Sequence, residues 1–423
     1  MLTTRPRGTN DILPGEVEKW QYLEELARNV CKQYGYHEIR TPIFEHTELF
    51  LRGVGETTDI VEKEMYSFLD RGERNITLRP EGTAPTVRAF LENKLYAQPQ
   101  PTKLFYIGPM FRYDRPQAGR YRQFHQFGIE VFGSNHPSVD AEVIGLACDY
   151  LERLGLDNLE VHINTVGCPE CRKKHKESLI AFFEDKKDQL CETCGGRLEK
   201  NPLRILDCKS PLCQELSENA PTTLSSACPE CQIHFQQVQE YLTEIGIKYT
   251  INPRLVRGLD YYTNTAFEIL VQGIGAQSAL CGGGRYNGLI EQCGGKPTPG
   301  IGFALGMERL LLTLNQQEKS LPESGTPDIF IASIGAEAQK ASFKLAIDLR
   351  KKGFIVEKDY LDKSLKAQLK TADRFQVKYT LILGEEELAG GKVLLRDMAG
   401  SEQIEISISE IEDFLERRLQ KNE

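Results

Sequence analysis

The clearest alternation of apolar and polar positions lies between Leu104 and Val131, LFYIGPMFRYDRPQAGRYRQFHQFGIEV. Two apolar runs flank a polar middle that holds Pro116, Gly119, Arg112, Arg115, Arg120 and Arg122. This pattern predicts a long antiparallel hairpin. With a side-chain period of two, Phe124, Gln126, Gly128 and Glu130 share one face, and His125, Phe127, Ile129 and Val131 share the other. An amide and a carboxylate then stand about 13 Å apart with a bare glycine between them. That leaves room for one small ligand over Gly128, with the arginine loop at the end of the platform where phosphates would sit.

The remaining patterns predict elements around this hairpin. Val17, Trp20, Leu23, Leu26, Ala27 and Val30 recur at helical spacing over residues 16–34, and YHEIRTPIF follows as a strand entering Pro42. In ITLRPEGTAPTVRAF a short strand runs into Pro80, and Thr83 is expected to cap the following helix. Glu81 and Thr83 at that turn offer an acceptor and a hydroxyl to an ammonium group. Residues 136–155 read as a helix closed by Gly155, then strand LEVHINTVG. In INPRLVRGLDYYTNTAFEILV, Arg257 and Gly258 open a turn before an alternating strand. ALCGGGRYNGLI reads as a glycine-rich turn beside an apolar strand. PGIGFALGMERLLLTL reads as strand then helix with Arg309 in its first turns; its GxGxxxG spacing is not a dinucleotide fingerprint. After a linker at 315–327, strands and helices alternate through 327–423, a separate α/β domain. Its helix KSLKAQLKTADR carries a basic stripe of Lys363, Lys366, Lys370 and Arg374, with Leu365 and Leu369 facing inward.

Composition narrows the reading in four places. A length of 423 residues allows two or three domains. A net charge of -9 means that the surface as a whole does not attract nucleic acid, so any RNA contact needs local basic patches. There is neither a secretory h-region at the N-terminus nor an apolar run near the ~18 residues of a membrane span. A cytoplasmic protein is expected, and its 12 cysteines are then thiols or metal ligands. Eight of them cluster as CPEC (Cys168, Cys171), CETC (Cys191, Cys194), CKSPLC (Cys208, Cys213) and CPEC (Cys228, Cys231). They suffice for one or two Cys₄ zinc sites, or they cap turns of an inserted domain over 168–235.

FRYDRPQAGRYRQFHQFGIE, LRPEGT, RGLDYYT and the strand-helix at 299–314 together resemble the histidyl members of the class II aminoacyl-tRNA synthetases. The resemblance spans essentially the whole chain. It implies an α+β fold: an antiparallel sheet flanked by helices over 1–320, interrupted by the insertion, and a C-terminal anticodon-binding domain. It makes the first helix and strand a homodimer interface. It implies that ATP and L-histidine form histidyl-adenylate, with Mg²⁺ bridging phosphates, before transfer to the 3′ end of the tRNA for histidine. Catalytic roles fall to Arg112 and Arg257 at the α-phosphate. Glu81, Thr83 and Gln126 would hold the α-amino group, and Glu130 and Tyr262, beside Tyr261, the imidazole. Arg120 and Tyr121 would close over ATP, and Arg309 would meet its far end. Two alternatives compete: a regulatory histidine-binding paralogue of ATP phosphoribosyltransferase, and a zinc-dependent RNA-binding protein in which the Cys segment is the working part.

Overall fold

The computed structural model describes residues 3–54, 58, 60–206, 208, 210–256, 261–271, 279–322, 325–400 and 402–419. The chain divides into two compact units, Met1–Pro322 and Glu323–Glu423.

An eight-stranded sheet organises the first unit. Its spatial order is His37–Glu38, Thr102–Phe111, Gln123–Phe132, Gly300–Gly306, Ala279–Arg285, Thr263–Val271, Leu159–Thr165 and Tyr249–Ile251. The six central strands pair antiparallel, and only the two short edge strands join in parallel. The expected hairpin is present: Thr102–Phe111 and Gln123–Phe132 pair along their whole length. Its alternation decides the layering. Phe127, Ile129 and Val131 enter a core with Trp20, Leu23 and Ala27 of the Val17–Gln33 helix and Val143, Ile144 and Ala147 of the Pro137–Arg153 helix. With these apolar residues of the strand committed to the helical side, its polar set is left on the opposite face.

Arg285 and Asp140, both fully buried, lock the Ala279–Arg285 strand to the Pro137–Arg153 helix. Arg285 also donates to the carbonyls of Ser134 and His136, and the His234 ring lies 3.3 Å from Asp140. The Asp140 carboxyl is held below its usual range by this pair despite its burial.

Two expectations need correction. YHEIRTPIF is not one strand. His37–Glu38 edges the large sheet, while Phe44–His46 joins a separate three-stranded sheet with Asn75–Leu78 and Tyr66–Leu69. Pro42 cannot donate to a ladder, and the chain changes sheets there. In ALCGGGRYNGLI the glycine run is strand, not turn: Gly282, Gly283 and Gly284 lie inside Ala279–Arg285, and the turn falls later, at Asn287–Gly288, before the short Leu289–Gln292 helix. A Cβ at Gly283 would stand 2.2 Å from the Gly302 carbonyl oxygen, so these glycines allow two strands to approach.

The second unit is a five-stranded sheet in the order Val356–Lys358, Ile329–Ser333, Tyr379–Leu383, Lys392–Asp397, Gln403–Ser407. Its first three strands are parallel and its last two antiparallel. The Leu365–Arg374 helix packs Leu365, Leu369 and Ala372 on one face of that sheet and leaves Lys366, Lys370 and Arg374 on its outer side. Lys363 precedes the helix and Gln368 is buried, hydrogen-bonded to both backbone groups of Ser333.

Candidate active site

The polar face of the large sheet forms the floor of a cavity of about 480 Å³, ordinary for a small-molecule site. Glu81, Thr83, Arg112, Arg120, Tyr121, Gln126, Tyr261, Tyr262 and Arg309 all line it. These residues are scattered from the Thr83–Glu92 helix to the Met307–Gln316 helix, and the antiparallel pairing is what gathers them. Arg257 lies outside the described residues.

At one end a chain of side chains runs inward from the Thr83–Glu92 helix. Both Glu81 oxygens accept backbone N–H groups at the start of that helix, Thr83 at 2.7 Å and Ala84 at 2.9 Å. The N-cap residue is therefore Gly82, capped from Glu81, and not Thr83 as expected. The Thr83 hydroxyl is freed for a different role and donates to Glu130 at 2.7 Å. Glu130 is 1% exposed and sits just beneath the cavity surface. It also accepts from the hydroxyls of Tyr106 and Tyr286. Burial pushes its carboxyl up to about 8, although the three hydroxyl donors oppose that shift. A carboxylate has about four acceptor positions, so three donors leave one for a ligand. Gln126 Oε1 is buried without a hydrogen-bond partner among the described residues. An orphan acceptor in a cavity wall marks a place for a ligand donor.

Tyr106 and Tyr286 were not expected from sequence. Tyr106 stands opposite Gly128 in the hairpin register, and its ring lies directly over that glycine. A Cβ at Gly128 would stand 2.4 Å from the Tyr106 hydroxyl oxygen, and one at Gly82 2.3 Å from its ring. The gap over Gly128 thus holds a phenol of the protein itself, and the ligand space lies beside it. Tyr286 likewise fills the space above Gly300, and a Cβ at Gly302 would collide with Glu130. The Tyr261 and Tyr262 rings pack at a 47° tilt with centroids 4.7 Å apart, and Tyr261 meets Tyr286 edge-on at 5.5 Å. Burial drives the phenols of Tyr106, Tyr261 and Tyr286 well above their ordinary values, so they stay neutral donors.

Toward the other end the lining turns cationic. Arg112 Nε donates to the Pro80 carbonyl at 2.8 Å, and its guanidinium lies 5.4 Å from the centroid of the Phe124 ring. Its terminal nitrogens make no hydrogen bond among the described residues. Arg309 reaches from the Met307–Gln316 helix and donates to the Ala279 carbonyl at 2.8 Å. Burial lowers both guanidiniums from their usual value, but an arginine stays charged in any protein. Arg120 faces the cavity paired with Asp114 at 3.0 Å. The hairpin loop does not present all four of its arginines. Arg122 stacks on Tyr113 at 3.8 Å with its backbone tied to Gly8, and Arg115 does not line the cavity. Strand parity carries no information across an irregular loop.

The eight clustered cysteines form two tetrads, Cys168–Cys171–Cys228–Cys231 and Cys191–Cys194–Cys208–Cys213. The outer pair of motifs combines, and the inner pair combines.

An antiparallel sheet that carries an amino-acid-sized polar pocket beside an arginine-lined one is the layout of a class II aminoacyl-tRNA synthetase. Residues 8–310 match the family model described as histidyl-tRNA synthetase, and residues 328–418 match an anticodon binding domain. The chain is 63% identical to a histidine–tRNA ligase of Desulforamulus reducens, over 99% of this chain and all of that one. It is 59% identical to the enzyme of that name from Pelotomaculum thermopropionicum, over 99% of each. The apo histidyl-tRNA synthetase of S. aureus superposes with a TM-score of 0.83 at 41% identity, covering 98% of this chain and all of that one. The chain belongs to the histidyl-tRNA synthetase family.

Proposed function

We propose that the chain is a histidine–tRNA ligase that joins L-histidine to ATP in the cavity described above and then passes histidine to its tRNA. The observation that carries this reading is one cavity lined by the buried acceptor Gln126 and by Arg112, Arg120 and Arg309, with the buried Glu130 held behind its wall by Thr83. Neutral imidazole offers one N–H donor and one acceptor. Glu130 takes the N–H and the Tyr262 hydroxyl meets the other nitrogen. Gln126 Oε1, with Glu81 and Thr83, takes the α-ammonium. The histidine carboxylate is already anionic, so its attack on the α-phosphorus needs no general base. The barrier comes from bringing two anions together and from charge spreading over the phosphoryl oxygens. Fixed guanidiniums lower it. Arg112 meets the α-phosphate, a role the family resemblance also gives to Arg257, which lies outside the described residues; Arg120 and Tyr121 close over the nucleotide, and Arg309 binds its far end.

Mg²⁺ fits this site because carboxylates line the same cavity as the cations. Glu268, whose charge acts on Arg309, would hold it together with the phosphates. The ion would supply charge neutralisation between phosphate oxygens. Structural zinc in the two cysteine tetrads belongs to the same proposal.

The test is ATP–pyrophosphate exchange. Exchange that depends on added histidine is expected, with no signal for other amino acids. A chain that binds histidine without exchange would instead fit the regulatory paralogue. That alternative is less supported, since the relatives named histidine–tRNA ligase match along their full length and residues 328–418 match an anticodon binding domain. On that domain, Lys366, Lys370 and Arg374 are the basic patch for RNA.

A homodimer is the proposed state. Ile43, Phe44, Phe68 and Leu69 lie exposed on or beside the three-stranded sheet, an apolar group that a second copy would cover. Sedimentation of the full chain should give twice the monomer mass. Phe44→Glu with Phe68→Glu should shift it to monomer; an unshifted dimer would place the interface elsewhere.

A further inference from the structure

The insertion is built around its cysteines. Cys168 and Cys228 are the N-caps of the Pro169–Glu184 and Pro229–Glu244 helices, and Cys191 is the N-cap of the Glu192–Lys200 helix. In each tetrad the four sulfurs lie within 4.8 Å of one another. Cys168 and Cys171 are 3.5 Å apart, Cys171 and Cys231 4.0 Å, and Cys191 and Cys208 3.8 Å. A tetrahedron with Zn–S near 2.3 Å requires sulfur separations of about 3.8 Å. Backbone N–H groups already point at the sulfurs: Cys228 to Cys171 at 3.1 Å, Cys191 to Cys213 at 3.3 Å and Ser210 to Cys208 at 3.4 Å. Such donors stabilise thiolates, the form that binds metal.

The second tetrad is also joined to the reaction cavity. Cys194, Cys208 and Cys213 share a small core with Ile205 and Val256. Val256 immediately precedes residues 257–260, and at the other end of that segment Arg172 of the insertion donates to the Tyr262 carbonyl at 2.9 Å. The Pro202–Ile205 turn, packed into the same core, carries Arg204, which lines the cavity together with Arg112, Arg120 and Arg309.

We propose that each tetrad holds one structural Zn²⁺, and that the zinc of the Cys191–Cys194–Cys208–Cys213 tetrad positions Arg204 as a nucleotide-phosphate contact delivered from the insertion. The cysteines touch no substrate. They set the core from which Arg204 reaches the site. This inference rests on the ligase reading, since it gives Arg204 a phosphate to meet.

The full chain, purified without chelator, is treated with a mercurial reagent, and released zinc is read with a metal-binding dye. About two zinc ions per chain are expected, from two four-thiolate sites. Cys208→Ser with Cys213→Ser should keep about one, and so should Cys168→Ser with Cys228→Ser. Wild type releasing less than about 0.2 zinc per chain overturns the metal assignment. Wild type stripped of zinc should lose about tenfold or more in exchange and regain it on adding Zn²⁺, the size expected for one charged contact. Arg204→Ala should lose a similar factor with both zinc ions retained, and Arg204→Lys should recover part of it. Full exchange by zinc-free protein, or by Arg204→Ala, overturns the coupling and leaves the ligase reading standing. Absence of histidine-dependent exchange in zinc-loaded wild type would overturn the ligase reading itself.

Discussion

Replacing Arg112 by alanine should lower ATP–pyrophosphate exchange by about 10²–10³ while the fold survives. The hydrophobic core does not depend on this side chain. Among the described residues, its side chain makes one hydrogen bond, the donation from Nε to the Pro80 carbonyl. That bond holds the planar fork at a fixed angle, and Phe124 lies alongside. The terminal nitrogens are then aimed before any ligand arrives, so no reorganisation is needed when charge builds on the phosphoryl oxygens. Arg112→Lys keeps a charge but loses both the fork and the Pro80 anchor, and should recover only part of the rate. Exchange equal to wild type in Arg112→Ala, with an unchanged melting curve, would show that another cation carries the step.

Glu130→Gln should separate histidine from ATP and remove a pH effect on stability. For histidine, kcat/KM in exchange should fall about 10²-fold, because one of the two carboxyl oxygens that receive the hydroxyls and the imidazole N–H becomes an NH₂ that only donates. The KM for ATP should stay within about threefold, since no nucleotide contact is removed. The stability effect follows from the direction of the shift. Folded Glu130 holds its proton up to about 8, well above an unfolded carboxyl near 4.3. A raised carboxyl binds more protons folded than unfolded. Its contribution is therefore complete below the unfolded value and is lost as pH rises from there to about 8. The loss is on the order of 5 kcal/mol by about pH 9. The glutamine amide of the variant cannot ionise, so its melting should match wild type near pH 5 and exceed it near pH 9. Parallel stability curves would show that Glu130 ionises normally in the folded protein.

Much of this site was legible before any coordinates, for a definite reason. The period of two along Gln123–Phe132 sorts core from cavity without knowledge of partners, and it placed Gln126 and Glu130 on the face opposite Phe127, Ile129 and Val131. What the sequence could not supply was register. Tyr106 reaches Glu130 only because it stands opposite Gly128, and Tyr286 only because Gly300 leaves space for its ring. A glycine announces that something comes close, never what. The run Gly282–Gly284 misleads for the same reason: glycines that permit strand approach and glycines that permit a turn look alike in a string. Cysteine spacing limits the count of ligands but not their combination, so the nesting of one tetrad inside the other had to come from the fold. Arg204 carries no motif at all; it reaches the cavity because the insertion folds back beside Val256.

The central claim is that histidine and the innermost phosphate of ATP meet in one pocket, between the Glu130 cluster and Arg112. A crystal structure with a non-hydrolysable sulfamoyl analogue of histidyl-adenylate tests it most directly. The expected density places the imidazole within hydrogen-bond distance, about 3 Å, of Glu130 and Tyr262, and the sulfamoyl group at the Arg112 fork. An analogue bound with its imidazole at the Arg309 end, or outside this cavity, would contradict it.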